Sequence, residues 1–321
     1  MRAYIVSRLL LNIPVVFLAI TLVFLASHAM TDYATRRVAS SLTGAANLDE
    51  AIKQVRHELG TDRALQIQYF DYLGSVLRGD LGDSLLTKRP VLTELKDRLP
   101  PSLELGILDL MVALTVSIPI GIISAIRQDS WIDYLLRFLA ILWLAIPSFY
   151  LAVILLILCF KVIGWTPPLT VTAYHNITSD PVKNLQMLAL PAIAGGIATG
   201  ASIMRLLRSQ MLEVLRQDYV RTAWAKGLRE RTVVTRHALK NALIPVLTIA
   251  GLLVGVLFSG NVILETMFSI PGVGLFLVTS IRQNDFPVVD GIVLVVAIVL
   301  VFTNLAVDLT YAWLDPRIRY G

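Results

Sequence analysis

Charge is scarce in this chain. Only 16% of its 321 residues are charged, against about 25% in an ordinary soluble domain, while 56% are hydrophobic and the mean hydropathy is +0.70. A soluble fold cannot bury that much apolar surface, so the composition predicts an integral membrane protein. Cysteine is almost absent: the lone Cys159, inside an apolar run, excludes an intrachain disulfide and a cysteine-rich metal site. There is no G-x-x-x-x-G-K-[ST] and no H-E-x-x-H, and the four histidines, His28, His57, His175 and His237, are far apart in sequence. No catalytic site, metal site or cofactor site is therefore expected within the chain, which does not read as an enzyme. The apolar runs are continuous and do not alternate, so transmembrane strands are excluded as well.

What remains is a set of long apolar runs. A membrane-spanning helix needs about 20 mostly apolar residues, and six segments satisfy that: 9–30, 102–126, 132–160, 185–207, 242–264 and 288–313. The first run follows Arg2 and Arg8. It is longer than the apolar part of a signal peptide and has no small-x-small cleavage site after it, so it predicts a retained helix. The stretch from Met204 to Asn241 carries Arg205, Arg208, Arg216, Arg221, Lys226, Arg229, Arg231, Arg236 and Lys240 against Glu213, Asp218 and Glu230. Basic excess in a short loop marks the cytoplasmic side. Counting spans in both directions then places both termini inside, together with Arg127 and Arg137. The net charge of +5 reflects this placement and not a nucleic-acid surface. Residues 31–99 fall outside and predict a small helical lobe: "LDEAIKQVRHELG" and "ALQIQYFDYLGSVL" have helical spacing, and "RGDLGDS" and "RLPPS" read as turns.

Acids inside spans are the mark of ion-coupled carriers. Asp109 lies well inside the second span and leaves that reading open. Glu104, Asp290, Asp308 and Glu265 lie nearer span ends, where interfacial hydrogen bonds or helix pairing explain them. Gly196-x-x-x-Gly200 and Gly251-x-x-x-Gly255 offer faces for close helix approach, and Pro147 and Pro191 offer kinks.

The basic loop has order of its own. Met204, Leu207, Met211, Val214, Leu215 and Tyr219 form one helical stripe, which extends the fourth span into the cytoplasm as an amphipathic helix. Gly227 supplies a turn, and a second helix over roughly 229–241 leads back to the membrane. Small residues (Ala223, Ala225, Gly227) gather at the tip. On residues alone, the loop is either a lipid-facing topology anchor or a knob that enters a cleft in a soluble partner.

"DYVRTAWAKGL" resembles the cytoplasmic EAA loop of ABC-importer permeases, in the form used by the peptide branch. "RLLLNIPVVFLAITLVF", "ELGTDRALQIQYFDYLGSVLRGDLGDSL", "FSIPGVG", "NDFPVVDGIVL" and "DLTYAWLDPRIRYG" are similar, in the same order, to other stretches of that branch, whose dipeptide/oligopeptide permease carries a large first outer loop. In the E-A-A-x-x-x-G pattern, Arg221 and Thr222 stand at the first two positions, and only Ala223 and Gly227 match. Pro245 comes later than the general pattern places its proline.

The resemblance implies an all-α membrane protein with the type I importer permease fold. Residues 1–30 would form an N-terminal helix, 31–99 an extracytoplasmic insertion, and 100–321 a five-helix core with a coupling loop at 208–241. It implies that Arg221, Thr222, Ala223, Trp224, Ala225, Lys226 and Gly227 form the element that sits in a groove of an ATP-hydrolysing subunit. ATP and Mg would be held by two such subunits and not by this chain. A second permease subunit and an extracytoplasmic substrate-binding protein complete the expected partners, with lipid around them and no nucleic acid. The expected location is the inner membrane of a prokaryote. The expected cargo is short peptides, with nickel, glutathione or oligosaccharide as alternatives within the class. An ion-coupled carrier is the rival from another class, and a membrane-embedded enzyme is a third. The outer lobe either meets the binding protein, covers the pathway, or packs on the second permease.

Overall fold

The computed structural model describes residues 10–26, 28, 52–53, 57, 62–164, 174–257 and 260–314. Every regular element among them is helical. These are α1 (Leu10–Ala26), α2 (Leu65–Leu77), α3 (Val91–Ile126), α4 (Trp131–Ala145), α5 (Ser148–Leu158), α6 (Pro181–Leu215), α7 (Asp218–Ala225), α8 (Glu230–Thr232), α9 (Leu239–Leu257), α10 (Val262–Phe268), α11 (Val273–Gln283) and α12 (Phe286–Leu314). Wider π turns follow α5, at Cys159–Ile163, and join α8 to α9, at Val233–Ala238.

Among the described residues, four helical stretches are long and apolar enough to cross a membrane: Val91–Ile126, Pro181–Leu215, Glu230–Val254 and Phe286–Ala306. Two further pairs qualify only if each bent pair is one span: Trp131–Ala145 with Ser148–Val162, bent by 107°, and Val262–Phe268 with Val273–Gln283, bent by 83°. The sequence expectation of one run over 132–160 is thus corrected. The chain breaks at Ile146, which is extended (ψ 121) before Pro147, because a residue preceding proline is pushed out of the helical region. Pro191, in contrast, stays buried within α6.

The expected turn at "RLPPS" is also overturned: α3 continues through Pro100 and Pro101. Those prolines cannot donate to the carbonyls of Lys96 and Asp97, and both residues are exposed, so the loss falls where solvent can compensate it. The turn at "RGDLGDS" is present, with Gly79 and Gly82 left-handed. "ALQIQYFDYLGSVL" forms α2, whereas "LDEAIKQVRHELG" falls almost wholly outside the described residues.

The chain divides into two compact units, Met1–Leu99 with Phe276–Gly321, and Pro100–Leu275. The division at residue 100 coincides with the proline pair. Residues 276–321, however, group with the first unit and not with the core where the sequence reading put them. The reason is apolar packing: Ile20 and Val23 of α1 and Leu294 of α12 are buried together, with Tyr72, Leu73 and Val76 of α2 against them. In the same unit the loop before α3 is tied down by Asp285. Its carboxylate accepts the Ser84 hydroxyl at 2.5 Å and the Leu85 N–H at 3.0 Å.

In the second unit α6 is the central helix. Asp180 caps it by accepting the Lys183 N–H at 3.1 Å. That bond, with the nearby Lys183 ammonium, holds the Asp180 carboxyl below the usual carboxylate range. One buried cluster joins Leu188, Leu190 and Ala194 of α6 to Leu151 of α5 and to Leu264 and Phe268 of α10. Another joins Ile203, Leu207 and Met211 of α6 to Ala113 and Ala125 of α3 and to Val234, Ala238 and Ala242 of the returning helix. Gly195, Gly196 and Gly200 let α3 approach closely: a Cβ on Gly196 would lie 2.6 Å from Val112 Cβ, and one on Gly200 would lie 3.1 Å from the Ala113 carbonyl.

Candidate functional site

α6 ends at Leu215, and Gln217 turns to extended backbone (ψ 148) before α7 begins. The redirected chain is held by a small apolar cluster: Val220 and Ala223 of α7 are buried with Val233, and Val214 and Leu215 pack against them. The N-terminal end of α7 is fixed as well, because Tyr219 Oη lies 2.7 Å from Asn241 Nδ2, which donates to it from α9.

The far end of α7 closes by a defined motif. The Gly227 N–H donates to the Trp224 carbonyl at 2.9 Å and the Leu228 N–H to the Ala223 carbonyl at 3.4 Å. This is the pair of bonds that terminates a helix at a left-handed residue. Gly227 has φ +74, which glycine adopts without the cost borne by other residues. Its surroundings are open: an added Cβ would meet nothing within 4 Å.

Six of the seven sequence-predicted residues, Arg221, Thr222, Trp224, Ala225, Lys226 and Gly227, are exposed on this short helix and its turn. Ala223 is different, at 4% exposure. Its small side chain faces inward and lets α7 lie close to the returning helix, so it shapes the knob and is not part of its outer face. The outer face mixes an aromatic ring, 44% exposed at Trp224, with the cations Arg221 and Lys226. Arg221 reaches Asp218 at 3.4 Å, an exposed pair of little energetic weight.

A second cluster was not anticipated from the sequence. Asp133, at the start of α4, is fully buried and is gripped by Arg208 of α6: Nε donates to Oδ1 at 2.9 Å and Nη2 to Oδ2 at 2.7 Å. Ser124 of α3 donates to Oδ1 at 2.5 Å, and the Asp129 N–H donates to Oδ2 at 3.0 Å. Two-pronged charge-assisted bonds of this kind are strong and directional. Ser130 caps α4 by accepting the Asp133 N–H at 3.3 Å. The cap pattern Ser130-x-x-Asp133 was visible in the sequence, but the partner Arg208 lies 75 residues away.

A third cluster forms around Glu265. Its Oε1 accepts Ser102 Oγ–H at 2.7 Å and the Asn261 N–H at 3.1 Å, and its Oε2 accepts the N–H groups of Gly274 and Leu275 at 2.7 and 3.1 Å. "FSIPGVG" is therefore folded around a carboxylate at the head of α11. Asp109, the one candidate for ion coupling, has its Oδ1 buried without a hydrogen-bond partner. Its carboxylate lies where a side chain on Gly195 would otherwise sit. Among the described residues no group of three or more His, Cys, Asp or Glu is arranged to hold a metal.

Comparison with known proteins places this architecture. Residues 117–320 match the family model described as binding-protein-dependent transport system inner membrane component, and residues 1–106 match the model for the N-terminal part of such components. A dipeptide transport system permease protein of Alkalihalophilus pseudofirmus is 38% identical, with all of both chains covered. A probable D,D-dipeptide transport system permease protein of Escherichia coli is 38% identical over 93% of this chain and 92% of its own. A glutathione transport system permease protein of Pectobacterium atrosepticum is 36% identical, again with all of both chains covered. A multi-helix apolar chain matched along almost its whole length by two family models, and at full length by such relatives, belongs to the binding-protein-dependent transport system inner membrane component family.

Proposed function

We propose that this chain is one of two permease subunits of an ABC importer for short peptides, and that Arg221 to Gly227 is the element through which separate ATPase subunits move it. The observation that carries the reading is the geometry of α7: a short helix set off from the end of α6, anchored by Val220 and Ala223, closed at Gly227, with its remaining residues facing outward. It suits a groove in a soluble partner better than a lipid surface. Six spans with both termini in the cytoplasm put this knob, with its surrounding arginines and lysines, on the side where ATP is available. ATP and Mg are bound by the partners. An extracytoplasmic binding protein delivers the cargo, and alternating access at the interface with the second permease carries it across. Short peptides are favoured as cargo because the relatives named for dipeptides and for glutathione, itself a tripeptide, are similar at full length.

The test is uptake by the reconstituted complex. Gly227→Val places a β-branched residue at φ +74, at a cost of about 1–2 kcal/mol, with no steric obstacle to confuse the result. ATP-driven uptake is expected to fall about tenfold or more while the subunit remains inserted. Gly227→Asn, which tolerates the left-handed region, retains most of it. Wild-type uptake by Gly227→Val counts against the coupling role. Mass spectrometry of the ligand carried by the purified binding protein decides between peptide and the nickel or oligosaccharide alternatives.

A further inference from the structure

Among the fifteen residues of α4 only Asp133 and Ala140 are buried. Trp131, Tyr134, Leu135, Phe138 and Ile141 are exposed and apolar, while Leu136, Leu139 and Trp143 are half-buried and line a small apolar cavity with residues of α3 and α6. Apolar contacts of this kind are non-directional and do not by themselves fix the register of α4 against its neighbours. One of its two buried residues is the carboxylate that Arg208 grips from α6 with two bonds, and that Ser124 of α3 and the Asp129 N–H also engage. Arg208 lies only two turns before the end of α6, where Val214 and Leu215 pack both against the α3–α6 core and beneath α7. One continuous packed path thus runs from the exposed α7 through the end of α6 to Arg208, and from there to the ends of α3 and α4.

From this path we infer that the Arg208–Asp133 pair is a positioning clamp. It locks α4 to the α6–α7 lever, so that a push on α7 moves α3, α4 and α6 as one body. A guanidinium fork suits this role because it fixes direction as well as distance, which a lone ammonium does not. The inference rests on the coupling role proposed for α7, and its test separates the two.

Spin labels at Trp131→Cys and Arg216→Cys, both exposed positions, on a Cys159→Ala background, report the distance between α4 and the end of α6. In the assembled complex that distance is expected to be the same without nucleotide and with ATP trapped. A nucleotide-dependent change in the parent overturns the clamp. Asp133→Asn or Arg208→Gln is expected to broaden the distance distribution and to raise the ATP consumed per peptide by about three- to tenfold, measured with a radiolabelled mixture of dipeptides and tripeptides. Should either variant fail to assemble, Arg208→Lys carries the same measurement, since it keeps the charge and loses the fork. An unchanged ratio of ATP to peptide in assembled variants sinks the clamp alone. A parent complex with no ATP-driven uptake sinks the transport reading and the clamp with it.

Discussion

Single carboxylates hold together regions that apolar packing alone leaves loose. Glu265 accepts three backbone N–H groups and one hydroxyl, which consumes both of its oxygens. Glu265→Gln turns an acceptor into a donor facing other donors, and buried mismatches of that kind cost about 2–3 kcal/mol. The detergent-solubilised complex is expected to unfold several degrees lower; an unchanged melting temperature removes the argument. Asp109 is the opposite case, with one oxygen that has no partner. An amide has nearly the size and shape of that carboxyl and asks for no cation beside it. Asp109→Asn is therefore expected to leave ATP-driven uptake near wild type. If uptake were instead abolished by that change, and by a proton uncoupler with ATP present, the ion-coupled carrier would regain the field.

At the level of helices, the α3–α6 crossing depends on missing side chains. Gly196→Leu inserts a Cβ into contact with Val112 and the Asp109 carbonyl, so the two helices must separate, and loss of assembled complex on size-exclusion chromatography is the expected result. Gly74→Ala, in α2 with open space around it, serves as the neutral control. The crossing was legible in advance from the spacing Gly196-x-x-x-Gly200, as was the turn at Gly227, because glycine reports a backbone requirement locally. The break at Pro147 was less legible, since apolar residues continue without interruption on both sides of it. The passage of α3 through Pro100 and Pro101 is not legible locally, because whether freed carbonyls reach water depends on exposure and not on the residues themselves. Which way Ala223 points is not legible from its place among small residues at the loop tip; the packing against Val220 and Val233 turns it inward. Arg208 was counted as one more charge on the inner side; that it chooses Asp133 is a fact of tertiary structure, out of reach of any local pattern.

For the molecule as a whole, orientation in the membrane is the property most open to direct test. Ser84 is unsuitable as a probe because it is buried and donates to Asp285, whereas Thr87 beside it is exposed. A cysteine at Thr87 is expected to react with an impermeant maleimide from outside the cell, and one at the exposed Thr235 only after permeabilisation. The reversed pattern would overturn the topology proposed above. The grouping of α1 with α12 through Ile20, Val23 and Leu294 bears on how the protein is made. α1 enters the bilayer early in translation and α2, which packs against it, follows soon after, but Leu294 of the same cluster emerges only near the end. At usual elongation speeds that is a wait of roughly fifteen to fifty seconds. Until then the part of the first helix that Leu294 covers must be shielded by lipid or by the insertion machinery.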